Sequence, residues 1–433
     1  MGAIGAKEET EVTERSAVIV ATIDSYMRDV IDPGDRASKL AKEICVRSFR
    51  NNRAVLVVPH DRGNFRGPVS WLWQPAIMAE MAKCKVRRGK VVEWTMAQSL
   101  ENDGDGGKPQ FFSLIGTMEV LYDLGWEVIA MTADDQSRSG RFPCIMDNQA
   151  DVKQVNERNF HLVRALFVGY GRALRATRLV NLTGEFAVMK HSITAFCNEE
   201  KATQLILTID GSCIGLTSNE LLLRPESMKP GMVIVGLWEP GYRCNGGTFF
   251  TKVLLGKFGP DIKKIRKNPK AMDFVRRLCT PSRVYTPLLT ELCGWNTDGT
   301  VGWRQANIVG IVNVTGGGVW GKLGDILPAG VGADLNKMPR PAKVLLDGQR
   351  YSIGMDDAEL SDWQAYSTLH GGCGNLVICA TYKDARIVIE AARQRGIPAK
   401  VVGSTMASRK SEIVITSRFL QKRGKRLSSL HPE

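Results

Sequence analysis

Histidine is scarce: there are five in 433 residues. None is paired with cysteine at ligand spacing, so a zinc site is not expected. The ten cysteines, Cys45, Cys84, Cys144, Cys197, Cys213, Cys244, Cys279, Cys293, Cys373 and Cys379, form no C-x-x-C and keep no regular spacing. They sit mostly among apolar residues, which suits reduced, buried thiols in a cytoplasmic protein better than a disulfide framework. No stretch reaches the roughly 18 consecutive apolar residues that cross a bilayer, so no membrane partner is expected. The N-terminus, Met1-Gly-Ala-Ile-Gly-Ala-Lys-Glu-Glu9, lacks a basic segment followed by an apolar core, and no signal peptide is expected.

What is present is an ordinary globular balance, 43% hydrophobic and 24% charged, on a chain long enough for two cores. The net charge of +13 favours anionic partners, nucleotides or sugar phosphates among them. Part of the excess is local, in Lys263–Lys270 and Arg418–Arg426. The second cluster reads as a solvated basic tail. Its cations are interleaved with no aromatic beyond Phe419, so nucleic acid is a poor match and a phosphorylated small molecule a better one.

The chain is organised around Val309–Pro328. The β-branched run Val309, Ile311, Val312 and Val314 reads as a buried strand that stops at Thr315 and the glycines Gly316, Gly317 and Gly318. Three glycines without Cβ atoms let backbone N–H groups approach an anion closely; a tight turn is the alternative. A second glycine loop, Asn102-Asp-Gly-Asp-Gly-Gly-Lys108, carries two carboxylates and a lysine. Asp134 and Asp135 end an apolar segment, and Glu185 follows the strand 179–182.

Elsewhere the periodicity predicts helices over 36–49, 74–81, 109–125, 151–176, 248–258, 270–278, 356–367 and 385–396. Strands are expected at 54–59, 90–94, 205–214, 220–223, 232–237, 331–335, 375–381 and 399–404, with 128–132 a strand or a helix start. Lys229-Pro-Gly231 marks a junction. The expected plan is a disordered stretch 1–15, domains over 16–224 and 225–410, and the basic tail 411–433. Two halves that each mix strands and helices argue for an α+β fold.

Several segments, in order, resemble the aminoimidazole ribonucleotide synthetase family, PurM, which is phosphoribosylformylglycinamidine cyclo-ligase. Lys229-Pro-Gly-Met-Val-Ile-Val-Gly-Leu237 is similar to KPGDVxIGL, and Gly241-Tyr-Arg-Cys-Asn-Gly246 to G-x-H-S-N-G. Thr280-Pro-Ser-Arg-Val-Tyr285 is similar to TPTRIY, Asn313-Val-Thr-Gly-Gly-Gly318 to HITGGG, and Leu327–Ala333 to LPxGLGA. Leu369–Asn375 resembles FNxGIGM, and Ile397–Gly403 a terminal A-x-x-IG. In the front half, Val30–Asp35, Asp103–Lys108, Ala130–Asp135 and Gly184–Met189 resemble GVDIDAGN, DGVGTK, AMxVND and GETAEM more loosely.

The resemblance implies a two-domain PurM-like fold, use of ATP and Mg2+, a homodimer, and ring closure of formylglycinamidine ribonucleotide. It implies nucleotide contacts from Asp103, Lys108, Asp135, Glu185, Thr315, Gly316, Gly317 and Gly318. Asp103, Asp105 and Asp135 are the expected metal ligands, since magnesium prefers hard oxygens. Arg243, Asn245 and His370 fall where catalytic contacts are expected. The chain also departs from the pattern: the loop histidine is Arg243, and the histidine before the glycines is Asn313. Arginine stays protonated and cannot serve as a base. Another ATP-dependent activity, or a homologue without catalysis, is therefore the alternative.

Overall fold

The structure is a computed structural model and describes residues 32–58 and 69–432. The expected disordered N-terminus 1–15, the first two residues of the segment similar to GVDIDAGN and most of the loop 61–70 fall outside the described residues. Two short antiparallel pairs come first, β1 (Val55–Val57) with β2 (Trp71–Trp73), and β3 (Cys84–Arg87) with β4 (Lys90–Trp94).

The front half is built on β5 (Met96–Gly104), β6 (Phe142–Val152), β7 (Val180–Val188) and β8 (Leu207–Ser218), in the order β5-β8-β6-β7. Only β6 and β7 run parallel. In β6 the side chains from Phe142 to Val152 alternate between buried and more open positions beyond Met146, which is the period-2 pattern of a sheet covered on one face. The covering layer is helical. Helix Glu127–Ser137 lies on β5 and β8, while helices Asp32–Ser48, Met118–Leu124 and Phe160–Thr177 pack on one another.

The rear half is a seven-stranded mixed sheet of β9 (Val233–Trp238), β10 (Ile308–Asn313), β11 (Val331–Leu335), β12 (Cys373–Cys379), β13 (Ala399–Ala407), β14 (Ile413–Thr416) and β15 (Arg426–Ser428). Their order is β10-β12-β9-β13-β11-β14-β15. Strand β10, at the edge of the sheet, and its neighbour β12 are buried along their whole length, as strands covered on both faces must be. The fold is α+β and PurM-like, and both hydrophobic clusters run through the two halves.

Several expectations are corrected. The helix placed over 151–176 begins only at Phe160, and 142–152 is a strand that its polar middle, Asp147-Asn-Gln149, had disguised. The helix over 109–125 is two, broken where Gly116 takes φ +66°. Residues 128–132 are helical, and the strand expected at 220–223 is a turn. The tail from 411 is neither frayed nor separate, because β14 and β15 extend the rear sheet and Phe419 and Leu427 are buried. All ten cysteines are free thiols, nine of them buried. Among the described residues, no helix is long and apolar enough to cross a membrane.

Candidate functional site

Strand β5 delivers Asp103 and Gly104 to a turn that presses on the rear half. Gly104 pairs with Asp210, and a Cβ there would lie 1.7 Å from Asp210 Oδ1. The turn closes with Lys108 N–H donating to the Asp105 carbonyl at 3.1 Å, and Gly106 takes φ +53°. A Cβ on Gly107 would approach Gly247 Cα to 3.2 Å, so front loop and rear helix Gly247–Phe258 meet backbone to backbone.

Behind this turn lies a buried ionic network. The Lys108 ammonium is fully buried, 2.8 Å from Glu127 Oε1, and donates to the carbonyls of Tyr242 (2.6 Å) and Thr280 (2.9 Å) and to Ser282 Oγ (3.2 Å). Burial works against its charge, but Glu127 outweighs it and raises the pKa. Its protons are committed to holding the halves together rather than extended toward a phosphate. Arg243, also buried, donates to Asp134 Oδ2 (2.7 Å), Glu239 Oε2 (3.1 Å), Asn313 Oδ1 (3.1 Å) and the carbonyls of Ala130 and Arg283. Burial again opposes the cation, and Asp134 and Glu239 prevail. Asp134 in turn accepts the N–H groups of Tyr285 and Thr286. Arg243 is thus a cross-half clamp.

The network continues to the buried Asn313. Its amide Nδ2 donates to Asp135 Oδ1 at 2.7 Å, joining the end of β10 to the front acidic helix. Thr315 is buried, Gly316 and Gly317 are exposed, and Gly317 and Gly318 take φ +87° and +60°. The half-buried Asn245 faces Gly316, with its Oδ1 3.2 Å from where a Cβ would stand. Across the gap, burial raises the Asp103 pKa; its own Gly104 N–H opposes that, Asp135 adds to it and Lys322 subtracts. The carboxylates of the front half therefore share one electrostatic neighbourhood with the helix that follows the glycine triplet.

Two predicted residues stand elsewhere. Glu185 is in register with Gln149, then Asp210, then Gly104, three strands across the front sheet. His370 is buried and its ring is fully used: Gly372 N–H donates to Nδ1 at 3.1 Å, which leaves Nε2–H to donate to the Gly241 carbonyl at 2.8 Å. Burial lowers its pKa to about 4. It fixes the loop that carries Arg243.

Among the described residues, no three His, Cys, Asp or Glu side chains stand close enough to cage a metal ion. Asp105 is fully buried, its carboxylate oxygens meet no hydrogen-bond donor, and burial reinforced by Glu127 raises its pKa strongly. Asp103 and Asp135 fit the looser demand of magnesium, which keeps several waters and binds through one or two carboxylates plus phosphate oxygens. Glu127 and Glu239 escaped sequence reading because they follow apolar segments, and only burial beside a cation marks them.

Residues 300–416 match the family model described as AIR synthase related protein, C-terminal domain. The chain is 24% identical over 221 residues to phosphoribosylformylglycinamidine cyclo-ligase of Pyrococcus furiosus, and 23% identical over 305 residues to that of Geobacillus kaustophilus. The chain is thus similar to the PurM family, most specifically over residues 300–416. The match covers 51% of this chain and 57% of the Pyrococcus PurM protein, against 70% and 78% for the Geobacillus one. Among solved structures, E. coli HypE, a hydrogenase maturation protein, covers 91% of this chain and 98% of its own at a TM-score of 0.51 and 15% identity. That likeness speaks to the PurM-like fold alone.

Proposed function

We propose that the protein is an ATP-dependent enzyme that binds a magnesium nucleotide between Asp103 and Asp135 of the front half and the Gly316–Gly318 backbone of the rear half. The observation that carries this reading is the 2.7 Å hydrogen bond from Asn313 to Asp135, which ties the strand that feeds the glycine triplet to the acidic helix. Magnesium would be held by Asp103 and Asp135 and would draw charge from the phosphates. Exposed glycine amides would bind phosphate oxygens, and Lys322 would add positive charge beside them. Asn245 would orient the second substrate.

The favoured reaction is the cyclo-ligase one, in which ATP activates the formyl oxygen of formylglycinamidine ribonucleotide and a nitrogen then displaces phosphate. A second reading keeps the phosphoryl transfer and drops the cyclisation. It is favoured by the commitment of Arg243 to Asp134 and Glu239, and of His370 to backbone, which leaves neither free to move a proton. Calorimetric titration with Mg-ATP tests the common core: wild type should bind, and Asp135→Asn should weaken binding about tenfold. Equal affinity in the two proteins would remove the metal assignment. Release of ADP with the amidine ribonucleotide but no aminoimidazole product would decide for the second reading.

A further inference from the structure

A cavity of about 360 Å3 lies in the front half where the helices Asp32–Ser48, Met118–Leu124 and Phe160–Thr177 meet. Arg47, Arg172 and Arg175 all line it, and no lining residue is acidic. Its floor is rigid and polar-satisfied. Ser48 Oγ donates to the Cys45 carbonyl and accepts the Asn181 N–H, and the Asn51 amide donates to the Leu179 carbonyl.

The cations are not satisfied in the same way. Arg172 lies over the rings of Tyr122 and Trp126, with one N–H on the Tyr122 hydroxyl at 3.1 Å, so aromatic faces hold it in place of a carboxylate. Arg47 reaches only Glu43, at 3.8 Å. Among the described residues, no hydrogen bond or ion pair engages the Arg175 guanidinium. Besides Glu43, an acidic group near this corner is Asp123; burial raises its pKa, Glu119 and Glu127 add to that, and Arg172 lowers it. Arg47 and Arg175 also stand in the last turns of their helices, where a cation is favoured, but that alone requires no convergence on one hollow.

We propose that this cavity is a second anion site, which takes a small phosphate monoester. Planar guanidinium forks match phosphate oxygens two at a time, and three of them suit a dianionic group. The volume lies in the range of small-molecule pockets, roughly 300–1,000 Å3, so an organic portion has room beyond the phosphate. Ile44 and Val168 supply an apolar wall against which a sugar face can rest. The floor hydrogen bonds tie the site to Asn181 of β7, the strand that carries Glu185, so occupancy bears on the front sheet.

Ribose 5-phosphate, ribose and inorganic phosphate, titrated by calorimetry into the full chain, test the proposal. Ribose 5-phosphate should bind at a site that Arg175→Ala weakens at least tenfold and that Asp135→Asn leaves unchanged. Ribose should not bind, and Arg175→Lys should recover only part of the affinity. Arg175 is exposed and without a structural partner, so its variants should unfold like wild type in a control melt. Equal affinity in wild type and Arg175→Ala would overturn the proposal. So would loss of binding in Asp135→Asn, which would put the ester in the glycine-triplet cleft. Preferential binding of a poly-glutamate peptide would overturn it in favour of an acidic protein segment.

Discussion

Asp134 and Asp135 are adjacent and chemically identical, yet one is sealed against Arg243 and the other meets Asn313 at the end of β10. Helical geometry turns neighbours about 100° apart, so a single peptide step separates structure from site. Nothing in the dipeptide says which is which. Arg243 shows the same limit: in the sequence it stands where a catalytic contact is expected, and in the fold it neutralises two buried carboxylates. Arg243→Met should therefore destabilise the protein by roughly 3–5 kcal/mol, the usual cost of orphaning a buried charge. Urea unfolding reads this directly, and a loss below about 1 kcal/mol would show that the clamp is dispensable. His370 supplies a pH test. Its folded pKa of about 4 lies below the ordinary 6.5, so the unfolded chain binds more protons between those values. Its contribution is fully present above pH 6.5 and is lost as pH falls toward 4, by about 3 kcal/mol in all. The raised pKa values of Asp134 and Glu239 act in the opposite sense, so the comparison must be with His370→Gln. Wild type should lose more stability than the variant between pH 7 and pH 4.5, and parallel losses would refute the assignment.

At the scale of single elements, the glycine triplet is not three equal residues. A Cβ on Gly318 would fall 2.2 Å from the Tyr366 carbonyl oxygen, whereas at Gly317 the nearest atom is Gly321 Cα at 3.6 Å. Both take positive φ, so alanine strains either by about 1–2 kcal/mol, and only at 318 is there a clash as well. Gly318→Ala should lower the melting temperature clearly more than Gly317→Ala, while Gly317→Ala should weaken Mg-ATP binding with the smaller melting shift. The reverse order in the melts would contradict the packing. Strand β10, which feeds this turn, was legible because its residues are β-branched and buried on both faces. Strand β6 was not, since its Asp147-Asn-Gln149 centre reads as a loop until cross-strand partners absorb it. In the tail 411–433, cationic composition hid the Ile413, Ile415 and Phe419 that anchor it. Arg426 on the short final strand also discourages further strand pairing, which is why such an edge looks like a tail in sequence.

At the scale of the whole molecule, the two halves are bound by apolar clusters that cross between them and by Lys108, Glu127 and Arg243. They should melt as one unit. Differential scanning calorimetry should give a single transition whose calorimetric and van't Hoff enthalpies agree. Two resolved transitions would mean that the halves are independent. Lys108→Met should shift that transition down without splitting it, because the apolar contacts remain. The primary structure by itself determined the α+β class and the two glycine-rich turns, since these depend on local periodicity and on residues without a Cβ. Which carboxylates meet a buried cation was decided only by tertiary structure. Arg243 and Asp134 lie 109 residues apart along the chain, and burial, which sets the value of a charge, exists only once the two sheets have closed on each other.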